Sequence, residues 1–201
     1  MRKLLFMTAL VCLAAFLMGG ATLAWFTSQD TNEGNEFIAG TVKITAERNL
    51  GDPIPGPMFY TTREQGNFSD PSWPDHATGQ WYPGKTETRQ LVVYNQGSLH
   101  VKLNGLSAEV TGIDDPALAQ AWAEKMNVKV FVSSSPGSVL FDGTLDQLLE
   151  GQYPTAAQPF LGAQNGSNLH LSFEVEMDTS AGNALQGLEP VVAFSVYAIQ
   201  A

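Results

Sequence analysis

From Phe37 onward, apolar and polar residues alternate along most of the chain. Ile38, Val42, Ile44 and Ala46 share one parity, with Lys43 and Thr45 on the other, the two-residue period of a half-buried strand. The run TETRQLVVYN, Thr86 to Asn95, follows a Pro83-Gly84 turn and is rich in β-branched residues. Past a turn at Gln96-Gly97-Ser98, Leu99, Val101 and Leu103 alternate with His100, Lys102 and Asn104. The two runs predict a hairpin or a strand pair around a corner. Val128, Val130 and Val132 mark a further strand, and Leu169, Leu171, Phe173, Val175 and Met177 alternate most cleanly of all. The last run, VVAFSVYAIQ from Val191 to Gln200, is apolar on both parities, which predicts a strand central in its sheet.

Helix is a minor component. Asp114-Asp115-Pro116 offers an N-cap followed by proline at the first helical position, and ALAQAWAEKM continues with good helix formers. Thr144 is a candidate cap for a short LDQLLE turn closed by Gly151. Both segments read as crossovers on a β body. Repeated short strands with turn signals and few helices predict an all-β fold, a jelly-roll-like β-sandwich with short crossover helices. One stretch breaks the pattern. Residues 47–84 hold Pro53, Pro55, Pro57, Pro71, Pro74 and Pro83 with Phe59, Tyr60, Phe68, Trp73, Trp81 and Tyr82 among them. A loop this long within a compact domain is functional or disordered more often than not.

The first residues read as an export leader. Arg2 and Lys3 are followed by an apolar run from Leu4 to Met18, broken only by Thr8. The Gly19-Gly20 pair comes next, then Thr22-Leu23-Ala24, with Thr22 and Ala24 as the small residues that a signal peptidase reads. Cleavage after Ala24 is expected. The competing reading is an uncleaved anchor, since the run to Phe26 reaches the roughly 20 residues that span a bilayer. The predicted organisation is a signal peptide at 1–24, an arm at 25–36 and a β domain at 37–201.

Composition narrows the function. Cys12, the sole cysteine, leaves with the leader, so the expected mature chain relies on its core and not on disulfides. The leader also removes Arg2 and Lys3, which leaves eight basic residues against twenty acidic ones, a net charge of −12. That charge opposes nucleic acid and anionic lipid as partners.

Three stretches resemble the TasA/camelysin family of exported bacterial proteins. In GGATLAWFTSQDTNEGNEFIAGTVKI, a small-residue cleavage site, an aromatic pair and a polar spacer precede Asn35, Phe37, Ala39, Gly40 and Thr41. YPGKTETRQLVVYNQGSLHVKL is similar to the family's Pro-Gly turn, strand, Asn-x-Gly-Ser corner and strand. In AGNALQGLEPVVAFSVYAIQ, Asn183, Gln186 and Gly187 precede a final strand. The resemblance implies a jelly-roll domain exported to the cell surface or matrix after processing by a SipW-type signal peptidase. In several members of the family such domains polymerise into biofilm fibres, so the implied partners are other copies of the chain and possible matrix proteins or polysaccharide. Family members called camelysin are described as metalloproteases, which leaves that activity as an alternative.

On this reading Trp25, Phe26 and Phe37 belong to an intersubunit donor arm, freed by cleavage and able to add as a strand to a neighbouring sheet. Six to eight paired residues at roughly 0.5–1.5 kcal/mol per hydrogen bond, with about 1.5–3 kcal/mol for each buried aromatic, come to about 10 kcal/mol. Association costs roughly 4–15 kcal/mol, so the arm suffices only with a preformed groove and further contacts.

Catalytic signals are sparse. There is no HExxH, and His76, His100 and His170 lie far apart in sequence. His170 and Glu174 share a strand face but stand about 13 Å apart, too far for one ion. Glu174 and Glu176 are about 7 Å apart and would need a third ligand; a solvated face is the plainer reading. Gly-x-Ser-x-Gly is absent. No catalytic residue, metal or cofactor is expected. A non-polymerising binding or adhesion module is the remaining class, with Trp73, Trp81 and Tyr82 of the long loop as candidate sugar-stacking rings. The plainer reading packs those rings onto their own sheet.

Overall fold

Thirteen elements follow one another in the computed structural model, which describes residues 27–31, 42–48, 56–66, 75–163 and 167–201. They are β1 (Thr27–Thr31), β2 (Ile44–Arg48), β3 (Phe59–Tyr60), β4 (Thr86–Asn95), β5 (Val101–Thr111), α1 (Pro116–Ala123), β6 (Met126–Val132), β7 (Ser135–Thr144), α2 (Asp146–Leu149), β8 (Tyr153–Pro154), β9 (Phe160–Leu161), β10 (Asn168–Met177) and β11 (Val191–Gln200). Two short 3-10 turns lie at Arg63–Gly66 and Asn183–Leu185. All pairings are antiparallel, in two sheets. One runs β1-β11-β5-β8, with β3 also on β11 and β9 also on β5; the other runs β2-β4-β10-β6-β7. Without β2 and the two-residue β3 and β9, the strands take the order of an eight-stranded jelly roll, the first beside the last and the second beside the seventh, and each passes to the other sheet except at the β6–β7 hairpin.

The sheets meet through the inward parity of each strand. Leu171, Phe173, Val175 and Met177 of β10 face Val192, Phe194, Val196 and Ala198 of β11, all buried. The rings of Phe173 and Phe194 are 4.7 Å apart across the sandwich. From there a run of aromatic rings reaches the helical end: Phe194 to Phe59 at 6.1 Å, Phe59 to Trp81 at 6.4 Å, and Trp81 to Trp122 of α1 at 6.2 Å. Each fully buried large side chain contributes about 1.5–3 kcal/mol. β11 is bonded on both sides, as its two-sided apolar pattern predicts.

β5 is longer than its pattern suggests. Tyr197 pairs with Gly105 and Ala198 with Leu103, so Asn104 is an extra residue, a bulge. The bulge flips the parity, and Leu106, Ala108 and Val110 take over the inward face from Val101 and Leu103. The alternation therefore looks as though it stops at Asn104, whereas the strand runs on to Thr111.

Of the two arrangements open for β4 and β5, the chain adopts the corner: β4 lies in one sheet and β5 in the other. Asn95 is the hinge. Its buried amide donates to the carbonyls of Leu99 and Gly162, both at 2.8 Å, and its Oδ1 accepts from the Gly97 amide at 2.9 Å. α1 crosses from β5 to β6, and Asp115 caps it by accepting from the Ala117 and Leu118 amides at 2.9 and 3.4 Å. The helix ends at Ala123, and Met126 already belongs to β6. α2 crosses back between sheets, but Thr144 does not cap it. Thr144 ends β7, a strand that the Gly-rich and Pro-containing SPGSVLFDGT hides from periodicity, and the helix has no side-chain cap.

Asn95→Ala is expected to lower stability by about 2–3 kcal/mol, because three backbone groups lose their partner in a site closed to water; denaturant midpoints at constant m-value check this. Beyond β10, Asp178 is held below the usual carboxylate range by hydrogen bonds from the Ser180 side chain and backbone amide, the latter at 2.6 Å. A lowered folded-state pKa stabilises above the unfolded value and is lost as pH falls through the folded one. Asp178→Asn is therefore expected to lower the melting temperature slightly at neutral pH and to converge with the parent below about pH 4, which flattens the acid side of the curve of melting temperature against pH.

Candidate functional site

A two-sheet sandwich has two open sides, where the outermost strands of both sheets present unpaired backbone groups. On one side residues 155–159 close the opening. Leu103 and Thr155 amides donate to Pro159 and Asn104 carbonyls at 3.1 and 3.2 Å on the β5 edge, and Ala156 and Ala157 amides donate to Leu140 and Val139 carbonyls at 2.8 and 3.2 Å on the β7 edge.

The opposite side is closed by the proline-rich segment, and two arginines hold it there. Arg48 continues the inward parity of Val42, Ile44 and Ala46; Arg89 shares that of Leu91 and Val93. Both are buried, at 3% and 7% exposure. Arg48 donates to the carbonyls of Pro57 and Gly66 at 2.9 and 2.7 Å. Arg89 donates to those of Met58 and His76. Its guanidinium also lies 5.1 Å from the centre of the Phe59 ring and 4.8 Å from that of Tyr60. Burial pushes Arg89 down from its ordinary value, against the pull of Tyr60 and Glu87 and with a further push from Arg48.

So gripped, β3 lies against β11, with Tyr60 opposite Val191 and Phe59 opposite Val192. The Met58 amide donates to the Val192 carbonyl at 2.9 Å, and on the far side of β3 the Thr78 amide donates to the Tyr60 carbonyl at 2.8 Å. Gln65 fixes the next turn: its Oε1 accepts from the Thr61 and Thr62 amides at 2.9 and 2.8 Å, and its Nε2 donates to the Glu189 carbonyl at 3.1 Å. The 56–66 part of the segment is thus a built piece of the fold and not an irregular loop. The inward-parity arginines are the one signal in the sequence that could have shown it.

Beyond β3, the same edge of β11 carries β1. The pairing runs from Thr27 opposite Ile199 to Thr31 opposite Ser195. Part of the expected arm thus lies on the edge of its own sheet, as the polar stretch Thr-Ser-Gln-Asp-Thr. The other residues singled out for the arm and its processing, Thr22, Ala24, Trp25, Phe26 and Phe37, fall outside the described residues, as does Trp73.

Of the stacking candidates, Trp81 is a core residue, 2% exposed and edge-on to Trp122, so no sugar ring can reach it. Phe59 and Tyr60 are buried too, whereas Tyr82 is 58% exposed. The reason is the grip: once Arg48 and Arg89 draw the segment in, its rings become the lid of the core. His100 and His170 are exposed and far from a shared ligand set, and among the described residues no three His, Cys, Asp or Glu side chains form a group that could hold a metal ion. Nor do the described residues include a helix long and apolar enough to cross a membrane.

Arg89→Met is expected to cost about 3–5 kcal/mol, since two carbonyls lose charge-assisted bonds worth roughly 1.5–3 kcal/mol each. Limited proteolysis should then cut first between residues 56 and 80, and the β10–β11 core should stay protected.

No family model and no characterised protein matches the chain in sequence.

Proposed function

We propose that the chain is an exported structural subunit that assembles through its N-terminal arm, strand by strand, into surface or biofilm-matrix fibres. The observation that carries this reading is the seat of β1 on the edge of β11. On the second open side of the sandwich, β3 is locked by arginine side chains and its own loop, while β1 pairs with β11 and lies against β2. If β1 leaves, the Ser195–Ile199 edge of β11 becomes a preformed slot of the right length for the same segment from another copy.

The energetics support exchange. The five paired residues carry no apolar side chain, so the ladder with β11 and the contact with β2 hold them without an apolar face of their own. Each ladder bond contributes about 0.5–1.5 kcal/mol net, and ordering each backbone residue costs about 1–2 kcal/mol. The two are of the same size, so a seated arm is near balance and can be given up to a neighbour that supplies equal bonds and further contacts. Donation of an arm at one site and acceptance at another is head-to-tail; it does not close, and it yields a filament. The resemblance of the ends of the chain to exported, fibre-forming proteins agrees with this reading, and the acidic charge accords with an extracellular matrix component that does not engage nucleic acid.

Purified chain beginning at Trp25 is expected to form filaments that grow with concentration, seen by electron microscopy, and removal of residues 25–36 is expected to abolish them. A chain that remains monomeric at high concentration overturns the reading. Zinc-dependent cleavage of casein by pure protein would instead indicate a metalloprotease, and glycan binding that survives removal of the arm would indicate an adhesion module.

A further inference from the structure

Strand register is set by matching an apolar face to a core, and a strand polar on both faces slides easily along its partner. The segment Thr27–Thr31 has no apolar residue, so its own pattern does not pin it to β11. β3, end to end with it on that edge, is placed to do so. Phe59 and Tyr60 already stand opposite Val192 and Val191, and the Met58 amide holds the Val192 carbonyl at 2.9 Å. Arg89 in turn holds the Met58 carbonyl, and Thr61 Oγ1 donates to the Pro190 carbonyl at 3.1 Å.

We propose that β3 is a register stop, which restricts the arm-accepting edge of β11 to Ala193–Gln200. In the observed register Gln29 faces Tyr197. A slide of four residues toward the start of β11 brings Gln29 opposite Ala193 and Asp30 and Thr31 opposite Val192 and Val191, where β3 stands. A slide the other way carries the arm past Gln200 and off the end of the strand. The stop acts on the chain's own arm, and, on the assembly reading above, equally on the arm of a second copy. Each two-residue slip displaces a strand by about 7 Å; the stop allows one such slip toward β3 and bars the next, so it narrows the spread of junction spacings in a filament.

Cysteine pairing reads the register directly, in a Cys12→Ser background. Gln29→Cys is combined with Tyr197→Cys or with Ala193→Cys, first within one chain and then by mixing chains that carry one substitution each; disulfides are scored on non-reducing gels and by mass spectrometry. Pairing with position 197 is expected to exceed pairing with position 193 by about tenfold, the ratio that loss of one or two ladder bonds of β3 implies. Met58→Pro, which removes the amide bonded to Val192, and Arg89→Met, which releases the Met58 carbonyl, are each expected to raise pairing at position 193 to a level comparable with 197. Equal pairing at 193 and 197 in the parent overturns the stop, as does unchanged pairing in a release variant whose circular dichroism stays native. Should neither release variant fold, the parent ratio decides. Pairing confined to 197 within chains, with none between them, leaves the stop standing and removes the assembly reading; pairing between chains at both positions does the reverse.

Discussion

Two guanidinium groups buried among backbone carbonyls close one side of this sandwich. A β-sandwich core is easy to cover on its two faces, because each strand carries alternate residues inward. The open sides are harder, because backbone groups there need partners and water must be kept from the rings beneath. Arg48 and Arg89 meet both needs. Their forks bind the carbonyls of Pro57, Met58, Gly66 and His76, a segment rich in proline and so poor in backbone donors, and their planes lie near the Phe59 and Tyr60 rings. With that segment held, Trp81 and Phe59 complete the run of rings from Phe173 to Trp122.

The same grip shapes the edge of β11. Held by Arg89 through Met58, β3 takes the first two residues of that edge permanently, and the remainder is left to β1. Two strands of different character therefore lie end to end on one partner. The fixed strand is apolar and anchored by charged side chains. The other, β1, is polar, pairs with β11 and also lies against β2 of the opposite sheet. The assembly proposed above would need no new surface, only a change in which molecule supplies the strand.

The two sides of the sandwich differ in kind. Residues 155–159 zip β5 to β7 with backbone bonds. The opposite side relies on side chains that bind backbone carbonyls, Arg48 to Gly66 and Arg89 to His76 among them. The burial of Trp81 follows from the second arrangement and removes it from any sugar-binding role, leaving Tyr82 as the exposed ring of that pair.

Local pattern alone determined much of this. The strands at 86–95, 169–177 and 191–200, the Asp115 cap and the all-β class are legible because side-chain period and capping are properties of neighbouring residues, and so is the turn of the chain at Gln96-Gly97. Only the tertiary structure decided the rest. The corner at Asn95 in place of a hairpin, the parity flip at Asn104, the strand character of β3, and the inward fate of Trp81 all depend on partners far away in sequence. Arg48 and Arg89 show the difference most plainly: their parity placed them in the core from the outset, but a buried cation is tolerated only where acceptors come to meet it, and those acceptors lie in another part of the chain.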